Sequence, residues 1–574
     1  MLSSSRKGQR RYALGIDFGT LSARALVVDA DTGEEIASAV HNYPHGSIED
    51  HLPDSRDRLP PEFALQHPKD YLEALYRTVP KAIKLAGIPG EQILAIGTDF
   101  TSCTMLPTRA DGTPLCFEPR WHREPHAYAK LWKHHAAQPE ADAINALGQS
   151  RRERFAKAYG GRYSSEWFFS KLLETLRHAP SVYQDADRFI EAGDWIVWQL
   201  CGQERRGLSA AGFKAMWVHP DPKGGWTYPS RAFFKSLHPQ LENVVAEKLS
   251  TELLTPGTRA GGLTAAMAQR LGLREGTPVA VGNIDAHVAV PACGVSRPGE
   301  MVMIMGTSTC HLLVGDQPQW VEGMCGVVQD GVIAGSWGYE AGQAGVGDLF
   351  AWYVEHGIPP SIHTEARRRK QSVYAFLASE AARLVPGESG LLALDWWNGC
   401  RSVLMDSSLS GCLIGATLGT RPHEIYRAFI EATAFGTRRI IEAFTSQGVE
   451  IHRLVGCGGL AQKNPLLMQI YSDVTGRPIQ VAASEQTCAL GAAMHGAVAG
   501  GLHKNMLAAT RAMARTQAKA YRPNRKNKQV YDELYTHYVH LHDILGRDAQ
   551  SPMKPLRRLR SQALSSRPRP ASQS

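Results

Sequence analysis

The chain has 574 residues, of which 43% are hydrophobic and 21% are charged. The composition is typical of a soluble globular protein, the length favours two lobes over one core, and no segment approaches the roughly 20 apolar residues of a membrane helix. The net charge of +8 comes from the ends, because residues 1–11 carry +4, residues 552–574 carry +6, and the residues between carry −2. We therefore predict disordered basic tails over 1–11 and 549–574 and a near-neutral body that binds small molecules, not nucleic acid or membrane.

The cysteines and the N-terminus indicate a cellular compartment. Ten cysteines occur without any C-x-x-C pair, and most have apolar neighbours, which is typical of reduced thiols. Arg10-Arg11 is followed by an apolar run too short for an export signal. We expect a cytoplasmic protein, and the sequence leaves a homo-oligomer open.

The first lobe opens with a predicted β-hairpin. Strands at Tyr12–Asp17 and Ala23–Asp29 flank the turn Gly19-Thr20. Apolar periodicity predicts a helix over Pro68–Leu85, and a buried strand is predicted over Ile93–Thr98. Residues 120–250 are predicted to be mostly helical, as an insertion that carries specificity.

An acidic residue follows the last apolar run of this lobe. Pro278–Val281 predicts a strand, and Gly282–His287 places Asp285 directly after it, before a run of small residues. A carboxylate there is suited to accept a proton from a substrate hydroxyl. Asp is also a common helix N-cap, so the position alone leaves both interpretations open.

The second lobe begins near Arg297 and repeats the first pattern. Strands at Glu300–Met305 and Thr309–Val314 flank a second Gly-Thr turn, and a helix over 422–447, a strand over Arg453–Cys457 and a helix over Ala461–Thr475 follow. Two lobes that each start with such a hairpin indicate a duplication with a cleft between the copies.

Glycine- and hydroxyl-rich turns are the candidate phosphate sites. In each turn a glycine permits tight backbone geometry, and hydroxyl and N–H groups can donate to phosphate oxygens. Asp17 is an oxygen ligand suited to Mg²⁺. Ordinary hairpin turns explain the same residues, and a helix-entry turn is the alternative for Gly458-Gly459. Neither a Walker A motif nor G-x-G-x-x-G after a strand occurs.

Histidines and tryptophans raise two further hypotheses. A predicted helix without nearby carboxylates contains His122, His126, His134 and His135, an arrangement that argues against a metal site. The pair Trp396-Trp397 fits either a sugar-stacking platform or a core anchor.

These motifs, in this order, resemble the FGGY carbohydrate kinases over residues 12–545. The matching motifs are Asp17-x-Gly19-Thr20-x-Ser22-x-Arg24, Gly282-Asn283-x-Asp285-Ala286-His287, Gly306-Thr307-Ser308 and residues 458–476. The resemblance implies an α/β, two-lobed actin/hexokinase-like (ribonuclease H-like) ATPase fold with a central interlobe cleft. The N-terminal lobe, 12–296, would bind sugar, and the C-terminal lobe, 297–548, would bind nucleotide. Runs that resemble a branch phosphorylating L-ribulose are 99–107, 131–137, 211–215, 338–343 and 394–399.

The resemblance also implies residue roles. Asp285 would be the general base, and the pentulose would be held by Ser102, Lys214, Asp285 and Glu340. ATP would be bound by Asp17, Gly19, Thr20, Ser22, Gly306, Thr307, Gly458, Gly459 and Asn464. Mg²⁺ would be held by Asp17 through water. Ser102 departs from the alanine of some family members, and its hydroxyl could alter sugar preference.

The implied activity is ATP-dependent phosphorylation of L-ribulose at O5 in arabinose catabolism. A kinase preferring D-ribulose or another 2-pentulose is the first alternative, because a few contacts separate such stereoisomers. An inactive sugar or nucleotide sensor is the second. The presence of Asp285, Asp17 and both Gly-Thr turns argues against a sensor, which could lose the base and still bind.

Overall fold

The computed structural model describes residues 10–219, 227–249 and 252–565. The strands of the N-terminal lobe are β1 Tyr12–Phe18, β2 Ser22–Asp29, β3 Glu35–Asn42, β4 Leu65–Gln66, β5 Ile93–Phe100, β6 Met105–Thr108, β7 Ala129–Lys130, β8 Arg188–Glu191, β9 Arg206–Gly207, β10 Leu253–Leu254, β11 Arg259–Gly262, β12 Pro278–Ala280 and β13 Asn283–Ile284. Its helices are α1 Pro68–Ala86, α2 Gln138–Arg151, α3 Arg154–Ala158, α4 Phe168–His178, α5 Pro180–Asp185, α6 Ala192–Cys201, α7 Leu208–Lys214, α8 Arg231–Leu237, α9 Val244–Lys248, α10 Ala265–Leu271 and α11 Asp285–Ala292.

The C-terminal lobe is described in the same way. Its strands are β14 Glu300–Met305, β15 Thr309–Gly315, β16 Gly326–Gln329, β17 Trp337–Gln343, β18 Leu392–Leu394, β19 Cys412–Ile414, β20 Arg453–Cys457 and β21 Ile479–Val481. Its helices are α12 Gly347–Trp352, α13 Pro360–Arg368, α14 Val373–Ala381, α15 Pro422–Ser446, α16 Gly459–Lys463, α17 Pro465–Thr475, α18 Thr487–Ala499, α19 Met506–Met513, α20 Arg525–Gly546 and α21 Met553–Ser565. Within the described ranges, no helix is both long and apolar enough to cross a membrane.

The central sheets of the two lobes share a core of five strands, β3-β2-β1-β5-β12 and β17-β15-β14-β20-β21, and each adds a sixth strand at a different edge. The N-terminal order is β11-β12-β5-β1-β2-β3, and the C-terminal order is β16-β17-β15-β14-β20-β21. In each sheet the opening hairpin is antiparallel, and its first strand pairs in parallel with a later strand, β5 or β20. The predicted pair of hairpins and the α/β class are confirmed.

Helix α1 shows why local sequence predicted several elements well. Pro68 supplies a preset φ at the first turn, apolar residues recur on one buried face, and Gly87 ends the helix in the left-handed conformation at φ 66. The observed bounds differ from the predicted ones by one residue.

Helix α18 belongs to the C-terminal range in sequence but packs against β1 and β5 of the N-terminal sheet. Glycines in the two strands allow this approach. A Cβ on Gly15 would lie 1.8 Å from the Ala489 carbonyl oxygen, and a Cβ on Gly97 would lie 1.8 Å from that of Ala492. Helix α18 therefore packs as part of the N-terminal lobe, although it follows the C-terminal strands in sequence.

Three local predictions differ from the structure. The helix predicted over Ala461–Thr475 is interrupted, because the Asn464 side chain caps α17 by accepting from the Leu467 N–H and Pro465 has no N–H to continue α16. The segment with His122–His135 is not a helix but consists of turns, a 3₁₀ turn over Pro125–Ala127 and β7.

The C-terminal tail is the third difference. The range predicted to be disordered from 549 contains α21, in which Met553 is buried and Lys554 pairs with Asp406 at 2.7 Å. At the other end, Arg10 pairs with Glu34 at 3.2 Å. The remaining tail residues, 1–9 and 566–574, lie outside the described residues.

Candidate active site

Asp285 lies where the N-terminal sheet ends. The short strand β13 pairs in parallel with the end of β5, with Ile284 opposite Phe100, so Asp285 lies beside the loop that follows β5. It is the first residue of α11, and the N-cap position is Ile284. The carboxylate Oδ1 accepts a hydrogen bond from the Ala286 N–H at 2.6 Å. The N-cap explanation for this residue is therefore wrong.

The surroundings of Asp285 bring its pKa close to neutral pH. Burial raises its pKa from 3.8 to about 7, and the negative charges of Asp17 and Glu340 act in the same direction. The Ala286 N–H and the Lys214 ammonium oppose the shift. A carboxylate with this pKa can both accept and release a proton at physiological pH.

Lys214 and Glu340 meet across the cleft. The Lys214 Nζ, at the end of α7, donates to both carboxylate oxygens of Glu340 in β17, at 2.7 and 2.8 Å. Burial favours the neutral form of Glu340, but Lys214 and His287 overcome it and lower its pKa to about 2. The structure thus brings three of the predicted sugar residues, Lys214, Glu340 and Asp285, into one charged cluster.

His287 completes this cluster. Its Nε2 lies 3.2 Å from Glu340 Oε2 and its Nδ1 lies 2.8 Å from Ser209 Oγ. Burial lowers the pKa of His287, although Glu340 favours its protonation. A neutral imidazole that donates to Glu340 satisfies both contacts and fixes the orientation of the carboxylate.

The fourth predicted sugar residue, Ser102, lies in the loop between β5 and β6. This loop is tight, because Cys103 has φ 61 and the hydroxyls of Thr101 and Thr104 are 3.0 Å apart. The pairing of β13 with β5 puts the loop next to Asp285. Ser102 Oγ is half-buried and lies 3.7 Å from Cys103 Sγ.

Each Gly-Thr turn is closed by a hydrogen bond from its glycine N–H, although the first turn is one residue longer than the second. The Gly19 N–H donates to Ser22 O at 3.0 Å, and the Gly306 N–H donates to Ser308 O at 2.9 Å. The Thr20 hydroxyl accepts from the Trp132 indole N–H at 3.1 Å. Both turns are hairpins, which by itself accounts for their glycine and hydroxyl residues. Gly19, Thr20 and Ser22 are partly exposed, so a phosphate could also reach them.

The third predicted nucleotide segment joins β20 to α16. Gly458 has φ 87, and a Cβ there would lie 2.6 Å from the Met305 carbonyl oxygen at the end of β14. In the described part of the chain, no atom lies within 4 Å of the Cβ position of Gly459. Asn464 uses its side-chain oxygen to cap α17. The backbone is open at Gly459, whereas the Asn464 oxygen already has a structural partner.

Asp17 and Asp99 are neighbours in the register of β1 and β5. Asp17 Oδ2 lies 3.2 Å from Arg24 Nε. Burial raises the pKa of Asp99 well above its usual range, and the charges of Asp17 and Asp285 add to the effect. Among the described residues, neither carboxylate oxygen of Asp99 has a hydrogen-bond donor. A second buried carboxyl group with a raised pKa therefore lies beside Asp17. Asp99 was not among the predicted site residues.

Asp17 has the donor chemistry that Mg²⁺ requires. Its carboxylate is a hard oxygen ligand, buried near the C-terminal end of β1 and close to the Gly19–Ser22 turn. Among the described residues, no group of three or more His, Cys, Asp or Glu side chains has the spacing to hold a metal ion. A metal at Asp17 would therefore take most of its ligands from water and substrate phosphates, as Mg²⁺ commonly does.

A second interlobe contact was also not predicted. Arg401 Nη2 of the C-terminal lobe lies 3.5 Å from Glu166 Oε1, and His135 Nε2 lies 3.0 Å from the same oxygen. Burial opposes ionisation of Glu166, but Arg401 and His135 lower its pKa to about 2. No sequence signal pairs residues 235 positions apart, so only the fold identifies this contact.

The other histidines and the tryptophan pair have structural partners. His134 Nε2 lies 2.9 Å from a Glu174 oxygen inside the N-terminal lobe. Trp396 is buried and contacts the His542 ring, and Trp397 packs against Phe429. The core-anchor interpretation of the tryptophan pair agrees with these contacts.

Comparison with known proteins gives consistent results over nearly the whole chain. Residues 12–291 match the N-terminal domain of the FGGY family of carbohydrate kinases, and residues 301–500 match its C-terminal domain. The chain is 52% identical over 558 residues to a ribulokinase of Shouchella clausii (96% of this chain, 99% of the relative). It is 48% identical over 557 residues to a ribulokinase of Mycolicibacterium smegmatis (97% and 98%).

Solved structures show the same fold at low sequence identity. A xylulose kinase from Rhodospirillum rubrum superimposes with a TM-score of 0.73 at 21% identity, covering 93% of this chain and 99% of that one. A gluconate kinase from Lactobacillus acidophilus gives a TM-score of 0.75 at 17% identity, covering 94% and 99%. The two-lobed fold expected from the sequence is confirmed.

Proposed function

The chain belongs to the FGGY family of carbohydrate kinases, and from this we propose that it transfers the γ-phosphoryl group of ATP to O5 of L-ribulose, with Asp285 as the general base. The product is L-ribulose 5-phosphate, an intermediate suited to L-arabinose catabolism, and the site of action is the cytoplasm. The relatives named ribulokinase support the substrate, since they align with this chain over almost its full length.

The observation that carries the proposal is the charged cluster around Asp285. The sugar is uncharged, so its affinity must come from paired hydrogen bonds. Lys214 offers donors, Glu340 offers acceptors, and each comes from a different lobe. A polyhydroxylated substrate between the lobes can replace part of the Lys214–Glu340 contact with its own hydroxyls.

The chemistry follows from the protonation of Asp285. With a pKa of about 7, its carboxylate is available at neutral pH to take the proton of the terminal hydroxyl as the oxygen attacks phosphorus. Positioning and charge stabilisation supply most of the rate in phosphoryl transfer. The Gly19 and Gly306 N–H groups close their own turns, so the hydroxyl groups of Thr20, Ser22 and Thr307 are the donors proposed to hold the phosphates. Gly459 leaves backbone space for the adenosine.

Asp17 is the residue proposed to hold Mg²⁺ through water. When bound, the ion would neutralise phosphate charge and orient the phosphates for transfer. Asp99 lies opposite Asp17 in the sheet, and burial raises its pKa, which favours the form of Asp99 without a negative charge.

The test is kcat/KM by ADP release with Mg-ATP and L-ribulose, D-ribulose, L-xylulose, D-xylulose or glycerol. We expect L-ribulose to lead clearly. Comparable values for several pentuloses would replace the named substrate by the class of 2-pentuloses. ATP binding without ADP release for any sugar would contradict a kinase and favour a sensor.

A further inference from the structure

Lys171, on α4, is a buried lysine behind the site that the proposed mechanism does not use. Its side chain has no solvent exposure. The Nζ donates to the main-chain carbonyl of Cys103 at 2.6 Å, to that of Leu131 at 2.7 Å and to that of Lys130 at 3.4 Å. Three main-chain oxygens therefore surround one ammonium group, one in the loop between β5 and β6 and two at the end of β7 and in the loop that follows it.

A cation in this place is costly. Burying an ammonium group is unfavourable unless its charge is paired and its N–H groups are hydrogen-bonded. The nearby carboxylate of Glu174 is already bonded by Lys130 at 2.6 Å and by His134 at 2.9 Å. Burial lowers the pKa of Lys171 to about 8. A methionine would fill a similar volume without a buried charge, but it would leave the three carbonyl oxygens without this donor. The contribution of the ammonium group therefore lies in the hydrogen bonds that it donates.

The first loop carries Ser102. Its neighbour Cys103 has φ 61, a left-handed conformation that residues with a side chain rarely adopt. The bond from Lys171 to the Cys103 carbonyl holds that peptide in place. The direction of the Ser102 hydroxyl depends on the adjoining peptide.

The second loop leads to the phosphate turn. Lys171 bonds the Leu131 carbonyl, and the next residue, Trp132, donates its indole N–H to the Thr20 hydroxyl at 3.1 Å. One ammonium group thus connects the loop beside Asp285 with the turn between β1 and β2.

We propose that Lys171 is a positioning residue that fixes the sugar loop, through Cys103, relative to the phosphate turn, through Leu131 and Trp132. Its substrate effects rest on the proposed function, because Ser102 and Thr20 are substrate contacts only in that function. Lys171 itself touches neither substrate.

The test compares Lys171→Met with Lys130→Met. Lys130 is an equally buried lysine that bonds Glu174, Thr175 and the Lys171 carbonyl but neither loop. Both variants are expected to lower the melting temperature. Lys171→Met should also raise the KM for the sugar roughly tenfold or more, as expected for a lost charge-assisted bond, and the KM for Mg-ATP severalfold. Lys130→Met should change neither KM by more than about twofold, because the Lys130 Nζ bonds only groups of α4.

Ser102→Ala separates this inference from the proposed function. If Ser102→Ala leaves the sugar KM unchanged, the sugar contact assigned to Ser102 is wrong. If it raises the sugar KM while Lys171→Met leaves both KM values at wild type, the positioning role alone is overturned. In the double variant that carries Ser102→Ala and Lys171→Met, the second change should raise the sugar KM by a smaller factor than it does in the wild type, because both changes act on one loop.

If Lys171→Met does not fold, Trp132→Phe tests the connection between the second loop and the phosphate turn. This change removes one neutral hydrogen bond and no buried charge. It should raise the KM for Mg-ATP severalfold and leave the sugar KM unchanged, with Thr20→Val as the reference for the turn itself. An unchanged KM for Mg-ATP in Trp132→Phe, with an effect in Thr20→Val, would overturn the connection between the loops.

Discussion

Removing either partner of the Lys214–Glu340 pair should shift the acidic limb of the pH–rate profile, in opposite directions. The pKa of Asp285 is raised from 3.8 to about 7, which corresponds to roughly 4 kcal/mol in favour of the neutral acid. Burial is the largest cause, so neither substitution abolishes the shift. Glu340 raises this pKa and Lys214 lowers it.

The sign follows from the role of a base. Asp285 must be ionised to act, so activity is present above a pH of about 7 and is lost as the pH falls through that value. Glu340→Gln removes a negative charge and should move the limb about one unit lower, whereas Lys214→Met should move it about one unit higher. Below the limb, one unit is a tenfold change in the ionised fraction.

The assay is kcat/KM for the sugar at saturating Mg-ATP, over roughly pH 5 to 9. Each profile is normalised to its own plateau, because both substitutions also weaken sugar binding. Shifts in the same direction for the two variants, or a wild-type limb near the ordinary pKa of an aspartate, would refute the electrostatic reasoning.

Three further predictions concern other parts of the molecule. Gly97→Ala should abolish folding or lower the melting temperature strongly, because its Cβ would lie 1.8 Å from the Ala492 carbonyl oxygen. Glu166→Gln should lower the melting temperature at pH 7, and the difference from wild type should shrink between pH 4.5 and 2, because the pKa of Glu166 is lowered from 4.5 to about 2. Removal of Mg²⁺ by a chelator should abolish turnover, and Asp17→Asn should raise the Mg²⁺ concentration for half-maximal rate roughly tenfold.

Each of these predictions has its own control. Gly419→Ala lies in an exposed loop, where the added Cβ would make only an ordinary contact with Thr417 Oγ1 at 3.7 Å, and should leave the melting temperature unchanged. A fully stable Gly97→Ala would contradict the packing of α18. If the difference in melting temperature between Glu166→Gln and the wild type stayed constant with pH, the ion pair would not be the cause of that difference. Full activity of the chelated enzyme, or an unchanged Mg²⁺ requirement in Asp17→Asn, would refute the metal assignment.

Local sequence signals predicted the elements whose ends are marked by turn or capping residues. The hairpin around Gly19-Thr20 and the helix that ends at Gly87 were predicted within one or two residues. The interruption at Asn464-Pro465 was also locally encoded, by a capping residue followed by proline, but the apolar periodicity on both sides concealed it. Helix α21 has a weakly apolar sequence, and its contact with Asp406 is not visible from its own residues.

The site residues also fall into those that the sequence predicts and those that only the fold identifies. Asp285, Lys214 and Glu340 were predicted through motifs, and the structure brings these three residues together. Asp99 and Lys171 were not predicted, because an aspartate in a buried strand and a lysine in a helix acquire meaning only from what lies opposite them. Register sets Asp99 beside Asp17, and the packing of α4 under two loops brings the Lys171 ammonium to Cys103.

The most direct test of the central claim is the turnover of Asp285→Asn compared with its substrate binding. The amide keeps the size of the side chain and removes the base. We predict that calorimetry still detects the binding of both sugar and Mg-ATP, while kcat for L-ribulose falls by roughly 10²–10⁴-fold, the contribution of a general base. A kcat near that of the wild type, with binding unchanged, would contradict the assignment of Asp285 as the base.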